Sequence, residues 1–388
     1  MWGTEAKLPV RRRVGQGIKA MDFGQFGVRF QNRKQGTNLD TPFAQYRLAG
    51  GPGGAFARPG ARPYNRYAMT RVAFMGTPEF AIPALERLAQ TPFELVAVYT
   101  QPDRPAGRGR HVAVSPVKVW AMRQGVAVLT PRTFRDADRV AELRRLSPDV
   151  IVVAAYGKLL PASVLQVPKK GVVNIHPSLL PKYRGPSPVA AAILAGDEIT
   201  GVTIMLLDEG MDSGPILARR TEPVADDDTT LTLTHRLAQR GADLLMETLP
   251  AWIDGKVAAA PQDESQATVC PKITAADGET DWEAGAVAIE RRMRALVPWP
   301  GCYTFWRGKR LKLIRGRALE IDGGAPGTVL RMDSGTGDGP SKASERLGIA
   351  TGRGVLEIRE LQPEGKRAMT CQEFLAGHAD FVGERLPS

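Results

Sequence analysis

Cysteine is scarce in this 388-residue chain: Cys270, Cys302 and Cys371 are far apart and odd in number. With no CxxC pair, a disulfide framework and a cysteine zinc site are excluded, and a reducing compartment fits. Histidine is nearly as scarce. His111, His176, His235 and His378 are scattered, with no ligand spacing among them, so no metal is expected. No run approaches the roughly 18 apolar residues of a membrane helix, so no membrane partner is expected. Glycine is missing where a dinucleotide would need it. Gly76 is the only glycine between Met69 and Gly107, so there is no GxGxxG, and neither NAD nor FAD is expected.

Acidic residues are nearly missing from the first 68 positions, which hold twelve Lys and Arg against three Asp and Glu. The other 320 residues hold 40 against 38, so most of the net charge of +11 comes from one end. That total alone does not argue for a nucleic-acid partner. Residues 1–68 combine Arg11-Arg12-Arg13 with Gly50-Gly51-Pro52-Gly53-Gly54 and show no sustained apolar period. They are expected to be a disordered basic extension, or to precede a true start at Met69. They lack the apolar segment of a secretory signal. The expected location is a bacterial cytoplasm, or an organelle matrix if 1–68 is a transit peptide, although its many glycines and few serines argue against one. A monomer is expected.

The remainder, in a chain 43% hydrophobic and 24% charged, has the mix of a globular protein and the length for two domains. Short apolar runs at Arg71–Met75, Leu95–Tyr99, Val126–Leu129, Asp149–Ala154, Val172–Ile175 and Val202–Leu207 read as strands. Helical stretches alternate with them: one opened by Thr77-Pro78, with Thr77 as N-cap; one by Ser115-Pro116; 136–146; one by Ser187-Pro188; and 230–248. This alternation predicts a doubly wound, mostly parallel α/β sheet over 69–257. After a polar linker at 258–275, a short helix near 283–295 and glycine-separated strands predict a small β-barrel or curled sheet over 276–388. Thr370 and Glu373 form a capping box for a last helix.

Ligands of such sheets gather at strand ends. Asn174 and His176 are two apart in a strand and so face one side. Asp212 follows the next apolar strand in Asp208-Glu209-Gly210-Met211-Asp212-Ser213-Gly214. An amide donor, an imidazole and a carboxylate converging at the sheet edge suit acyl transfer to an amine. No serine or cysteine stands beside a base, so direct transfer through a tetrahedral intermediate is expected.

Two further stretches are basic. The loop Thr100–Arg110, with Arg104, Arg108 and Arg110, lies in a connection of about 15 residues, where roughly 2–6 is usual. Arg291–Leu319 holds nine cations, no Asp or Glu, and interleaved Trp299, Tyr303, Phe305 and Trp306. Cations in such a strip can pair with phosphates.

The stretch Asn174-Ile175-His176-Pro177-Ser178-Leu179-Leu180-Pro181-Lys182-Tyr183-Arg184-Gly185 resembles the signature of the folate-dependent formyltransferases. Gly201-Val202-Thr203-Ile204, Asp212-Ser213-Gly214 and Tyr156-Gly157 agree with it. The likeness runs from about Thr70 to Arg385 and is greatest to the branch acting on methionyl-tRNA. It implies 10-formyltetrahydrofolate as donor and the α-amino group of methionyl initiator tRNA as acceptor. It also implies an OB-like C-terminal domain supporting tRNA binding. By this resemblance Asn174, His176 and Asp212 form the catalytic set, and Ser178, Leu179, Leu180 and Pro181 line the folate pocket. Arg104, Arg108, Arg110, Lys309, Arg310 and Lys312 would meet tRNA. The expected mechanism has Asn174 and a protonated His176 stabilising the oxyanion while Asp212 assists proton transfer. Amino-sugar and purine-pathway formyltransferases share the catalytic motif. A formyl-folate hydrolase and a non-catalytic RNA-binding protein are the other readings, the first opposed by the arginine loop and the second by the intact catalytic set.

Overall fold

The apolar run Val72–Met75 is fully buried in β1 (Arg71–Gly76), with successive side chains entering two different cores. A computed structural model describes residues 69–106, 111–332 and 346–387. The expectations for 1–68, and for Arg108 and Arg110, lie outside these. After β1 come α1 (Ile82–Ala89), β2 (Glu94–Tyr99), the hairpin β3 (Arg104–Ala106) and β4 (His111–Ala113), α2 (Pro116–Arg123), β5 (Val128–Leu129), α3 (Ala137–Arg145), β6 (Val150–Ala154), α4 (Ala162–Leu165), β7 (Val172–His176), α5 (Pro188–Ala195), β8 (Ile199–Leu206), β9 (Ile216–Pro223) and α6 (Thr230–Ile253).

The larger sheet runs β5-β2-β1-β6-β7-β8-β9. Its first five strands are parallel. One face packs on α1, α2, α5 and α6, the other on α3 and α4. This is the doubly wound arrangement expected. Each large aliphatic side chain so buried contributes about 1.5–3 kcal/mol. β1 ends at Gly76. A Cβ there would lie 2.7 Å from Ala81 Cβ and 3.0 Å from the Ala154 carbonyl oxygen, so the turn closes tightly on the neighbouring strand.

Several local readings change. Thr77 does not cap a helix. Its hydroxyl donates to the Tyr156 carbonyl, and a 3-10 turn at Glu79–Ala81 leads into α1. Ser115 does cap α2, accepting from the Lys118 amide at 3.1 Å. Ser187 makes no capping bond. The strand β9 was not anticipated, because Arg219, Arg220 and Glu222 interrupt its apolar alternation. The strand β8 runs antiparallel to β7, with Val173 opposite Leu206 and His176 opposite Thr203.

The second half holds α7 (Ala286–Ala295), β10 (Cys302–Trp306), β11 (Lys309–Leu319), β12 (Val329–Met332), β13 (Arg346–Ala350), β14 (Val355–Pro363), β15 (Met369–Thr370) and α8 (Cys371–Gly377). The sheet is antiparallel, in the order β10-β11-β14-β13-β12, with β15 on β14. Register shifts on either side of Arg315 bend β11, which a curled small sheet requires. Thr370 and Glu373 form the expected capping box on α8. The three cysteines are buried and free. Among the described residues no helix is long and apolar enough to cross a membrane, and no cluster of His, Cys, Asp or Glu is placed for a metal.

Candidate active site

Strand β7 is short and wholly buried, and two of its last three residues, Asn174 and His176, are polar. Asn174 and His176 are 8% and 4% exposed. A buried amide and imidazole need partners. His176 finds them, with Nε2 3.0 Å from the Tyr183 carbonyl oxygen and Nδ1 3.6 Å from Asp212 Oδ2. A carbonyl oxygen only accepts, so Nε2 carries hydrogen and Nδ1 is the nitrogen that gains or loses a proton. Asn174 is different: no described residue hydrogen-bonds its side-chain amide.

Burial pushes the His176 pKa below its ordinary value, although Asp212 and the Tyr183 carbonyl pull it upward. The lowered pKa favours the neutral ring at rest. In this form Nδ1 presents a lone pair toward Asp212. A proton arriving there would sit between imidazole and carboxylate.

Asp212 reaches the site by a different route from the one expected. Because β8 is antiparallel to β7, its end lies level with Val173, and the Leu207 amide donates to the Val172 carbonyl. The connection 207–215 must fold back along β7 to place Asp212 beside His176. Asp212 has φ of 53°, in the left-handed region. Its Oδ2 accepts from the Gly185 amide at 2.9 Å. Gly185 itself has φ of 115°, and a Cβ there would lie 2.5 Å from the Cys270 carbonyl oxygen, so only glycine suits this contact.

The four residues expected at a folate pocket divide. Ser178 is buried and its hydroxyl donates to the Lys182 carbonyl at 2.6 Å. Leu180 is buried against Met205 and Ile216, and Thr203 bridges its amide to the Ser178 carbonyl. These two hold the segment in shape. Leu179 and Pro181 keep partial exposure.

A formyl transferase family model matches residues 70–249, and a model of the formyl transferase C-terminal domain matches 272–379. Methionyl-tRNA formyltransferase of Roseiflexus sp. (strain RS-1) is 51% identical over 319 residues, 81% of this chain and 95% of that protein. The chain belongs to the methionyl-tRNA formyltransferase family. The enzyme of that name from Chloroflexus aurantiacus (strain ATCC 29366 / DSM 635 / J-10-fl) is 48% identical over 80% of this chain and 98% of its own. A crystal structure of HypX from Aquifex aeolicus in complex with tetrahydrofolic acid shares the fold, with TM-score 0.54 and 20% identity over 81% of this chain. The match covers 48% of the HypX chain, about half its length. Membership of the methionyl-tRNA formyltransferase family makes this chain a transferase and sets aside the non-catalytic and hydrolase readings.

Within that family assignment, the basic strip is smaller than its sequence suggests. Arg291 donates to the Ala195 carbonyl at the C-terminus of α5, where a cation is favoured. Arg292 donates to the Asp277 carbonyl, and Arg294 pairs with Glu290. Arg307 pairs with Asp380 and Glu384. Arg315 and Arg317 lie across from Glu360 and Glu357 in register but pair with neither, and both are exposed. What remains with them is the exposed end of β11. Lys309 and Arg310 are exposed and Lys312 half-buried, and the Arg310 guanidinium lies 4.0 Å from the Tyr303 ring centroid. Of Arg104 only the backbone in β3 is described. The base of its loop is tied by Asp103 to Lys118 at 2.5 Å and by Thr100 to Ser115 at 2.7 Å.

Proposed function

We propose that this chain transfers the formyl group of 10-formyltetrahydrofolate to the α-amino group of methionine on initiator tRNA, with Asn174, His176 and Asp212 as its catalytic set. The observation that carries the reading is the side-chain amide of Asn174, which no described residue hydrogen-bonds, on a residue 8% exposed and on the same side of β7 as His176 and its carboxylate. An amide donor that no protein group engages, set beside an imidazole–carboxylate pair, can meet an oxygen of the substrate. Bound formyl-folate supplies the carbonyl carbon that the amine attacks. The Asn174 amide donates to the formyl oxygen as negative charge grows on it. His176 Nδ1 takes the proton that the attacking amine must shed, and Asp212 stabilises the cation so formed. The same Nδ1 can return the proton to the departing nitrogen of the folate.

In this reading residues 69–257 carry the chemistry, 258–275 link, and 276–388 support tRNA. Leu179 and Pro181 face the folate, while Ser178 and Leu180 fix their placement. Arg104, Arg108 and Arg110 meet the acceptor arm. The reading places the protein in the cytoplasm, in accord with its three buried thiols.

The test is a transfer assay on the full chain with 10-formyltetrahydrofolate. Methionyl initiator tRNA is compared with free methionine, a purine-pathway amine and an amino-sugar nucleotide. Formylation of the charged tRNA alone is expected; formylation of a small amine in its place would overturn the assignment of the acceptor. Replacing Lys309, Arg310 and Lys312 together by Ala is expected to raise KM for charged tRNA about tenfold at low salt. The slope of log affinity against log salt should become shallower by about 2–3, since each phosphate contact contributes just under one. KM for the folate should not move.

A further inference from the structure

The stretch Pro261-Gln262-Asp263-Glu264-Ser265 reads in the sequence as a polar linker, yet it is bonded to the loop that carries Asp212. The Gln262 side-chain amide donates to the Asp212 carbonyl at 2.8 Å and to the Gly214 carbonyl at 2.7 Å. Its Oε1 accepts from Arg184 Nε at 3.1 Å and Nη2 at 2.9 Å. A guanidinium only donates and a carbonyl only accepts, so a single orientation of the amide satisfies all four contacts. Arg184 is held in turn by both oxygens of Glu264, at 2.7 and 2.8 Å. Its backbone pairs with the linker at Thr268 and Cys270.

The bonds close a ring. Gly185, next to Arg184, holds the Asp212 carboxylate through its amide, while Gln262 holds the Asp212 carbonyl. Asp212 is thus gripped at both ends. It needs to be, because its left-handed backbone conformation is unfavourable for a residue with a side chain.

We propose that Gln262 is a positioning residue for Asp212: its two N–H donors lock the turn at 212–214 so that the carboxylate faces His176 Nδ1. This rests on the catalytic role proposed for Asp212. Gln262→Glu keeps an acceptor for Arg184 and removes both donors, and Gln262→Ala removes them without adding charge. Gln262 is half-buried in a non-core segment, so both variants should fold. Each should lower kcat for the charged tRNA by about 10- to 100-fold, as loss of transition-state geometry does. KM for either substrate should stay within about twofold of the parent, since no substrate contact is lost. The pH profile of kcat should shift with the altered carboxylate–imidazole pairing.

The deciding comparison is made in an Asp212→Asn background. There, Gln262→Ala should cost less than about twofold, because the group it positions is already gone. Full multiplication of the two losses would overturn the proposal, as would unchanged kcat and pH profile in both single variants. If Asp212→Asn alone kept parental turnover, the catalytic reading of Asp212 would fail instead, which is a separate outcome.

Discussion

His176→Ala is expected to lower kcat by about 10²–10⁴, the range associated with removing a general acid–base group. The ring sits at the end of a buried strand, with one nitrogen fixed by the Tyr183 carbonyl and the other facing Asp212. Some stability is lost as well. The Tyr183 carbonyl loses its imidazole donor and keeps only the Cys270 thiol at 3.5 Å, at a cost of about 1–3 kcal/mol. That loss should depend on pH. Because burial depresses the folded-state pKa, the unfolded chain takes up its proton first as pH falls. The histidine's contribution to stability is therefore fully present above the unfolded value of about 6.5 and declines below it. Urea unfolding at pH 7 and pH 5 should show the gap between parent and variant narrowing in acid. Turnover within a few-fold of the parent would remove His176 from the chemistry, whatever the unfolding curves show.

Asn174→Ala should cost about 10²–10³ in kcat, the range found for deleting one oxyanion donor. Its signature differs from that of His176→Ala. The amide has no bond to any described residue, so truncation breaks no network and the unfolding midpoint should scarcely change. The loss should fall on kcat and kcat/KM equally, since the bond strengthens only as charge develops on the formyl oxygen. Asn174→Asp should be at least as damaging, because it places an acceptor where a donor is needed. A rise in KM with kcat preserved would show that Asn174 binds substrate without favouring the transition state.

The two residues just discussed were legible in the sequence because a strand has a period of two and because polar residues ending an apolar run are conspicuous. The parallel core was legible for a similar reason, through continuous apolar runs such as Val150–Ala154. Strand direction was not. Nothing in Val202–Leu207 distinguishes a parallel strand from an antiparallel one, so Asp212 was placed at the right site on an incomplete account of how it gets there. Edge strand β9 hid behind its arginines. The basic strip is smaller than its count because Glu290, on the same helix and just before the strip, pairs with Arg294, and because a count along the chain does not reveal Asp380 and Glu384, which reach Arg307 from the other end of the domain. Gln262 and the Gly185 amide left no local signal. Their significance comes from contacts across 50 and 27 positions of the chain, which a reading of neighbours cannot reach.

The course of the linker bears on how such an enzyme could be divided or rebuilt. A modular view would cut after α6 and treat the first half as a self-sufficient catalyst to which any second half could be attached. Such a cut would strip Arg184 of the carboxylate that neutralises it, leaving a guanidinium in a site only 8% exposed, and would release the carbonyl of Asp212. The smallest portable unit of this chemistry therefore extends to about Cys270, past the last helix of the catalytic half. A graft that swaps the second half must carry this stretch over with the first.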